Sequence, residues 1–190
     1  QLTVGDLNAL DEVDAGDFTG GLQLNLSEAD GTNGDRDLTI TTGKGDDFVA
    51  LGDDGLDEDD TVDLGDGDDT LFFSLSSFDA GDVDVTNVET LAFAGTSSTT
   101  ANIINVESDT ALTTLQVQEA HSDRVTVEDT QENLSTIYFN ADDDTTGVTP
   151  FAPLTVEPDS AGGSDDDLTV KVDNEGEQIN EGDILTLEGL

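Results

Sequence analysis

Residues 43–49 read Gly-Lys-Gly-Asp-Asp-Phe-Val, and residues 65–71 repeat the pattern as Gly-Asp-Gly-Asp-Asp-Thr-Leu. Both have the form G-x-G-D-D-x-aliphatic, the core of the nonapeptide G-G-x-G-x-D-x-U-x, in which a glycine turn binds Ca²⁺ and the aliphatic residue begins a short buried strand. Glycine suits the turn because it has no Cβ, and aspartate offers the carboxylate oxygen that a hard cation prefers. The two segments therefore predict calcium binding and a coiled parallel sheet.

The chain between these motifs divides into units of related design. Residues 42–50 and 64–72 are nine-residue units, and the thirteen residues 51–63 keep a glycine-acid turn and an aliphatic strand. If two units form one coil, the turns that begin at Gly43 and Gly65 stack on one edge of the molecule. The long middle turn then lies on the other edge.

The chain is extremely acidic, with a formal net charge of −42 over 190 residues and only four Lys and Arg. Two carboxylates 4 Å apart repel by about 1 kcal/mol even in water. Such a charge density opposes a compact state unless bound divalent cations or high external salt neutralise it; otherwise the chain is disordered. Asp clusters with Gly in turns, which favours specific ion sites in the first half of the chain, and adaptation to a high-salt habitat can coexist with them.

The same charge excludes several partners. A polyanion would repel nucleic acid, and direct adsorption to anionic lipid is disfavoured for the same reason. The sequence contains no apolar run long enough to span a bilayer, so we expect no direct membrane insertion. Calcium sites of this type fill at extracellular calcium concentrations, which favours a location outside the cell.

Catalysis has little support in the sequence. There is no Cys and only one His, His121, which lies in a polar segment that resembles a turn. A thiol site, a His-rich zinc site and a nucleophile triad therefore lack their residues. Acidic pairs are too abundant for their spacing to nominate a general acid and base. We expect that the chain is not an enzyme.

Short alternating runs rich in Thr, Val, Ile, Leu and Phe follow one another between Gly, Asp, Asn and Ser turns, which predicts strands and no helix. The predicted strands are 22–26, 38–42, 48–51, 61–64, 70–75, 83–85, 90–94, 102–106, 112–118, 124–127, 135–140, 154–156, 168–172 and 184–187.

These strands predict an all-β fold, a right-handed parallel β-helix or β-roll with calcium-binding turns. The alternative is an antiparallel β-sandwich, in which Asp54-Gly55 and Asp66-Gly67 would be hairpin turns. We expect residues 1–190 to form a single elongated unit, with a soft boundary near residues 142–153. We also expect this unit to be a fragment of a longer exported chain, since it begins at Gln1 without a Met.

Four segments in this order, residues 14–22, 38–49, 60–71 and 85–91, carry a family resemblance. They resemble the calcium-binding, repeat-in-toxin-like region of bacterial surface-layer proteins and related type I secreted surface proteins. The Asn-Val-Glu-Thr-Leu phrase at residues 87–91 after a glycine-aspartate roll is common in that group. The resemblance is good over residues 14–94 and diffuse beyond them.

The resemblance implies a secreted β-helical protein that assembles with Ca²⁺ on the cell exterior. Its turn glycines and ligand aspartate correspond here to Gly43, Gly45 and Asp47, and to Gly65, Gly67 and Asp69. Thr42 and Leu64 replace the first glycine of the nonapeptide, and only two good units exist, which favours one to three local sites.

The candidate calcium ligands are of two kinds, carboxylates and backbone carbonyls. The carboxylates of Asp47 and Asp69 would act with carbonyls of both turns, and a second site in the long middle turn is plausible. The carbonyls are those of Gly43, Lys44, Gly45, Gly65, Asp66 and Gly67, and the second site would use Asp53, Asp57 and Asp59. A further oxygen-rich loop, a weaker candidate, holds Asp30, Asn33, Asp35 and Asp37.

The leading functional expectation is a calcium-dependent structural protein of the bacterial cell surface, in a surface layer or an extracellular matrix. Its partners would be like subunits, through self-assembly, with cell-surface polysaccharide as a further candidate. The alternatives are a calcium-dependent adhesin or stalk module, and an accessory β-roll of a type I secreted enzyme.

Overall fold

The structure, a computed structural model, describes residues 2–4, 11–26, 37–51, 56, 59–74, 81–82, 84–94, 102–107, 109, 111–118, 125–130, 133–141, 154–158, 169–174 and 185–187. These residues form strands and connections, and none of them is helical. Accordingly, no helix capable of crossing a membrane occurs among them. In chain order the strands are β1 (Leu2–Val4), β2 (Glu12–Asp14), β3 (Leu22–Leu26), β4 (Thr39–Thr41), β5 (Phe48–Leu51), β6 (Thr61–Asp63), β7 (Thr70–Ser74), β8 (Gly81–Asp82), β9 (Asp84–Thr86), β10 (Thr90–Ala94), β11 (Asn102–Asn105), β12 (Thr114–Gln118), β13 (Val125–Thr130), β14 (Thr136–Ala141), β15 (Leu154–Pro158), β16 (Thr169–Asn174) and β17 (Leu185–Leu187).

The strands form three parallel sheets. One sheet has eight strands in the order β1-β3-β5-β7-β10-β12-β14-β16, a second has the four strands β2-β4-β6-β9, and a third has the five strands β17-β15-β13-β11-β8. The chain alternates between the eight-stranded sheet and one of the other two, except between β7 and β10, where it passes through β8 of the five-stranded sheet and then β9 of the four-stranded sheet. Each pass therefore adds one strand to each side, which is the construction of a β-solenoid.

This architecture confirms the predicted parallel β-helix and shows that the antiparallel sandwich is wrong. Every strand pair among the described residues is parallel, for example β5 with β7 through Val49 and Leu71. The Asp66-Gly67 turn joins β6 to β7, which belong to different sheets, so it is not a hairpin. Asp54-Gly55 lies outside the described residues. The right-handedness of the coil stays a prediction.

The core is a stack of identical positions from successive coils. In the eight-stranded sheet, the register aligns one inward residue from each strand β3, β5, β7, β10, β12 and β14, and all six residues are buried. This column consists of Leu24, Val49, Leu71, Leu91, Leu115 and Ile137. Burial of each aliphatic side chain adds about 1.5–3 kcal/mol to the free energy of unfolding, so thin coils become stable by stacking on one another.

The opposite wall supplies the facing residues of the core. Ile40, Val62 and Val85 are aligned in the four-stranded sheet, and Ile104 and Val127 are aligned in the five-stranded sheet. All five are at most 1% exposed. In the described part of this chain, which is only 34% hydrophobic overall, the buried apolar residues thus form one core cluster.

The predicted strands are largely confirmed. Residues 22–26, 48–51 and 90–94 match β3, β5 and β10 at both ends, and the other predicted strands differ by one to three residues at an end. Three strands were not predicted, namely β1, β2 and β8. The soft boundary at residues 142–153 lies outside the described residues, and the single-unit organisation stays a prediction. Strands β14 and β16, on either side of that stretch, pair through Ile137 and Val170.

Candidate metal centre

Four connections from the four-stranded to the eight-stranded sheet lie on one edge of the solenoid. We name them turn 1 (residues 15–21), turn 2 (residues 42–47), turn 3 (residues 64–69) and turn 4 (residues 87–89). Turns 2 and 3 contain the two glycine-aspartate motifs, as the sequence predicts. Because their flanking strands pair in register, the four turns follow one another along the edge.

Turns 2 and 3 stack directly through their backbones. The N–H of Gly45 donates to the carbonyl of Asp66 at 2.8 Å, and the N–H of Asp66 donates to the carbonyl of Gly43 at 2.8 Å. Lys44 and Asp66 form a parallel bridge between the two turns. The predicted stacking of the Gly43 and Gly65 turns on one edge is therefore confirmed.

Turn 1 extends this stack by one coil. The N–H of Lys44 donates to the carbonyl of Phe18 at 2.8 Å, and the N–H of Leu22 donates to the Asp47 Oδ1 at 2.7 Å. The sequence did not nominate turn 1 as part of a site because it lacks the G-x-G-x-D spacing.

The glycines permit an unusually close approach of successive backbones. A Cβ at Gly65 would lie 2.1 Å from the carbonyl oxygen of Gly43, and Gly65 also has a φ of +84°. A Cβ at Gly43 would lie 2.1 Å from the carbonyl oxygen of Phe18. Contacts this short between a Cβ and backbone oxygen do not occur, so only glycine fits both positions. Carbonyl oxygens consequently crowd the space between the turns.

An acidic residue closes each of turns 2, 3 and 4 and contacts the coil before it. Asp47 Oδ1 accepts the N–H of Leu22 at 2.7 Å, Asp69 Oδ1 accepts the N–H of Asp47 at 2.6 Å, and Glu89 Oε2 accepts the N–H of Asp69 at 2.7 Å. Hydrogen bonds to a charged acceptor are stronger than neutral ones. These carboxylates thus form a continuous ladder that links four coils.

The second oxygens of the two motif aspartates have no partner. Asp47 is 3% exposed and Asp69 is fully buried, and the Oδ2 atom of each is inaccessible and makes no hydrogen bond. Burial raises the pKa of Asp69 to about 6; the hydrogen bond from the Asp47 N–H opposes this shift, and the negative charges of Asp47, Glu89 and Asp46 add to it. Burying an ionised carboxylate costs free energy unless a positive charge compensates it, so a cation next to these two oxygens would stabilise the folded state.

The residues present fit a calcium ion. Both unpartnered atoms are carboxylate oxygens, and backbone carbonyls of the stacked turns approach one another closely on the same edge, as at Gly65 and Gly43. Oxygen atoms of these two kinds match the all-oxygen preference of Ca²⁺. The carbonyls of Gly43 and Asp66 each accept one hydrogen bond and keep a second lone pair. Within the described ranges, no group of three or more His, Cys, Asp or Glu side chains converges. An ion here would therefore take most of its ligands from the backbone, and when bound it would supply the missing positive charge.

Lys44 and Asp66 direct their side chains away from the buried aspartates. They form an exposed ion pair, with 65% and 76% of the two side chains accessible. The hydrogen bond and the opposite charge raise the pKa of Lys44 and lower that of Asp66. Their paired side chains are therefore occupied at the surface, and the calcium-ligand role of their backbone carbonyls stays a prediction.

The other predicted ligands are not brought together in the described part of the chain. Asp59 is exposed on the opposite side of the coil, next to β6, and Asp37 is exposed before β4. The aspartates Asp30, Asp35, Asp53 and Asp57 of the proposed second site and third loop lie outside the described residues. Asn33 and His121 also lie outside them.

Among the described residues, the sequence reasoning also missed acids whose carboxylates accept backbone N–H groups within the stack of coils, including Asp60, Asp109 and Glu89. Asp60 Oδ1 accepts the N–H of Leu38 at 2.8 Å on the other edge, and Asp109 Oδ1 accepts the N–H of Ala111 at 3.0 Å. A usable signal exists for Asp60 and Glu89, because each, like the motif aspartates, stands directly before a strand that begins with a β-forming residue. Asp109 lacks that signal.

Comparison with known proteins returns no relative. No protein-family model matches this chain, and no curated protein or solved structure matches it either.

Proposed function

We propose that this chain is a calcium-dependent structural segment of the bacterial cell surface, part of a surface layer or an extracellular matrix. In this proposal, Ca²⁺ bound between the stacked glycine turns stabilises the solenoid, and the stabilised solenoid assembles with like subunits outside the cell. The carrying observation is the pair of buried Oδ2 atoms, on Asp47 and Asp69, that have no partner.

The electrostatics support a metal that is coupled to folding. The chain holds 46 acidic residues against four basic ones, and one of the basic residues, Lys44, already pairs with Asp66 on the surface. Divalent ions between the turns would neutralise Asp47 and Asp69 where water cannot reach them. Because the unfolded chain does not hold the turns together, the binding free energy contributes to the stability of the folded state.

The shape of the core supports a structural role. The inward column of the eight-stranded sheet repeats one apolar position per coil, as in Leu71 and Leu91. A fold of this kind extends in one dimension by repeating the same coil. Long parallel ladders of this kind have extended surfaces that can pack against copies of themselves.

The metal claim is tested by circular dichroism and urea unfolding after exhaustive chelation with EGTA, followed by millimolar CaCl₂. We expect the chelated protein to lose β signal or unfold at lower urea, and calcium to restore it. The matched control is Asp109→Asn, a buried carboxylate outside the glycine turns, which should keep the full calcium response. An identical β spectrum and unfolding midpoint with and without calcium would contradict the proposal.

The assembly claim is tested separately by electron microscopy and light scattering with and without calcium. We expect the protein to form ordered arrays or filaments only when calcium is present. Particles that bind calcium but stay monomeric would remove the lattice role and favour a stalk or accessory module.

A further inference from the structure

Each motif aspartate lies between its own turn and the turn before it. Asp69 Oδ1 accepts the N–H of Asp47, which places the Asp69 carboxylate at the interval between turns 2 and 3. Asp47 Oδ1 accepts the N–H of Leu22, which places the Asp47 carboxylate at the interval between turns 1 and 2. The two unpartnered oxygens thus belong to two different intervals of the stack.

Turn 1 contributes backbone carbonyl oxygens to the interval between turns 1 and 2, although it carries no glycine-aspartate motif. A Cβ at Gly43 would meet the carbonyl oxygens of Phe18, Ala15 and Gly16 at 2.1, 2.8 and 3.1 Å. A Cβ at Gly21 would meet the carbonyl oxygen of Asp46 at 2.6 Å. Carbonyls of both turns therefore converge on this interval as they do on the next one, where a Cβ at Gly67 would meet the carbonyl oxygen of Gly45 at 2.9 Å.

The stack ends at turn 4. That turn spans only residues 87–89 and has no glycine, and the Oε2 of its acid, Glu89, bonds to the N–H of Asp69. Neither side-chain oxygen of Glu89 belongs to the buried, unpartnered atoms that mark the two preceding intervals. The interval between turns 3 and 4 consequently lacks the buried, unpartnered carboxylate oxygen that marks the two preceding intervals.

We infer that this edge of the solenoid holds two calcium ions, and that the second is bound between turns 1 and 2 by the Asp47 carboxylate and backbone carbonyls of residues 15–21. This inference rests on the proposed function, since it assumes that the turns bind calcium at all. It adds a site formed by a segment that carries no calcium motif, and it divides the two aspartates between two ions.

The test is equilibrium dialysis with radioactive calcium on Asp47→Asn, Asp69→Asn and the double variant. Asparagine keeps an oxygen to accept the coil-to-coil hydrogen bond, so the fold is preserved, and circular dichroism in saturating calcium verifies this. We expect each single variant to lose one ion per chain, the double variant to lose two, and the Asp109→Asn control to lose none. If the double variant loses only one ion, the two aspartates share it and the second site is overturned, while the proposed calcium function stands. If no variant loses an ion, both fail.

Hydrogen exchange on the wild-type and variant proteins gives a second readout that does not depend on counting ions. Calcium should slow exchange of the amides in residues 15–22 in the wild type and in Asp69→Asn, and should fail to do so in Asp47→Asn. Calcium protection limited to turns 2 and 3 in the wild type would overturn the second site.

Discussion

The backbone N–H of Asp47 donates a 2.6 Å hydrogen bond to Oδ1 of Asp69, so the two motif aspartates are joined directly across one coil. Each of them uses one carboxylate oxygen to hold the preceding coil and leaves the other without a partner. The same side chain thus has a structural role that needs no metal and an oxygen that is free to bind one. The substitutions below separate these two roles.

Asp69→Asn and Asp69→Ala should differ in metal-free stability. Asparagine can still accept the Asp47 N–H, whereas alanine leaves that N–H without its acceptor, at a cost of about 1–3 kcal/mol. Urea unfolding in EGTA measures the difference. Both variants should lose the calcium response of this turn. Equal metal-free stability of the two variants would mean that the hydrogen bond contributes nothing.

Calcium should stabilise the protein far more than NaCl does at the same ionic strength. A site that is saturated at about 100 times its Kd adds about 2.7 kcal/mol to the free energy of unfolding. NaCl at matched ionic strength only screens the exposed charges and leaves the buried Asp47 and Asp69 oxygens uncompensated. Thermal unfolding in the two salts makes the comparison. If NaCl reproduces the calcium effect, general charge screening is sufficient and a specific site is unnecessary.

Gly65→Ala should destabilise the protein by about 1–3 kcal/mol or more, because alanine is strained at a φ of +84° and its Cβ would clash with the Gly43 carbonyl. Gly20→Ala is the matched control within the same stack of turns. A Cβ there would meet only the Phe18 ring, at an ordinary 3.7 Å. Urea unfolding with calcium present should therefore show a large loss for Gly65→Ala and little change for Gly20→Ala.

The buried carboxyl of Asp109 should make the metal-free protein less stable as pH rises from about 4 to about 6. Burial raises its pKa from 3.8 to about 6, against the hydrogen bonds from Ala111 and Val88. In this range the folded state holds a proton that the unfolded state has released, so the free energy of unfolding falls with increasing pH. Asp109→Asn should reduce this slope in urea titrations at several pH values, whereas Asp69, whose pKa is also raised to about 6, continues to contribute to it. A slope that is unchanged in the variant would contradict the assignment.

Ile103 and Ile104 test the inward and outward register of β11. Ile104 is fully buried, and Ile103 is 39% exposed on the other face of the same strand. Ile104→Ala should cost about 2–5 kcal/mol, and Ile103→Ala well under that. Thermal unfolding of the two variants, which differ by one position, measures the contrast. A larger loss at Ile103 would mean that the register is shifted by one residue.

Most of the fold was predictable because the solenoid repeats a local pattern. Leu22–Leu26 alternates along its length, and Phe48–Leu51 and Thr90–Ala94 are apolar runs bounded by turns, so their limits are visible in the sequence. Two of the three missed strands, β2 and β8, lack such a signal. Glu12–Asp14 has a single apolar residue, Val13, between two acids, and Gly81–Asp82 has none, so these strands depend on pairing with the neighbouring coil.

The candidate site was predictable only as far as its motif extends. The G-x-G-D-D spacing identified Asp47 and Asp69, and the structure places both in stacked turns. The contribution of Phe18 and its neighbours was not visible, because backbone carbonyls take part regardless of side chain and only the three-dimensional stacking brings them to Gly43. The ladder partner Glu89 was missed because its turn has no glycine.

Glycine-rich turns occupy the passes from β2 to β7, and the next connection shrinks to residues 87–89. Chelation should consequently unfold the coils with glycine-rich turns first, since the strands from β10 onward are held by backbone ladders such as β10 with β12 and by buried apolar residues such as Phe93 and Leu115. The coils that stay folded would then serve as a template on which the unfolded coils refold when calcium is added back. Refolding of this solenoid would therefore proceed in one direction, from the calcium-independent coils toward the N-terminal ones.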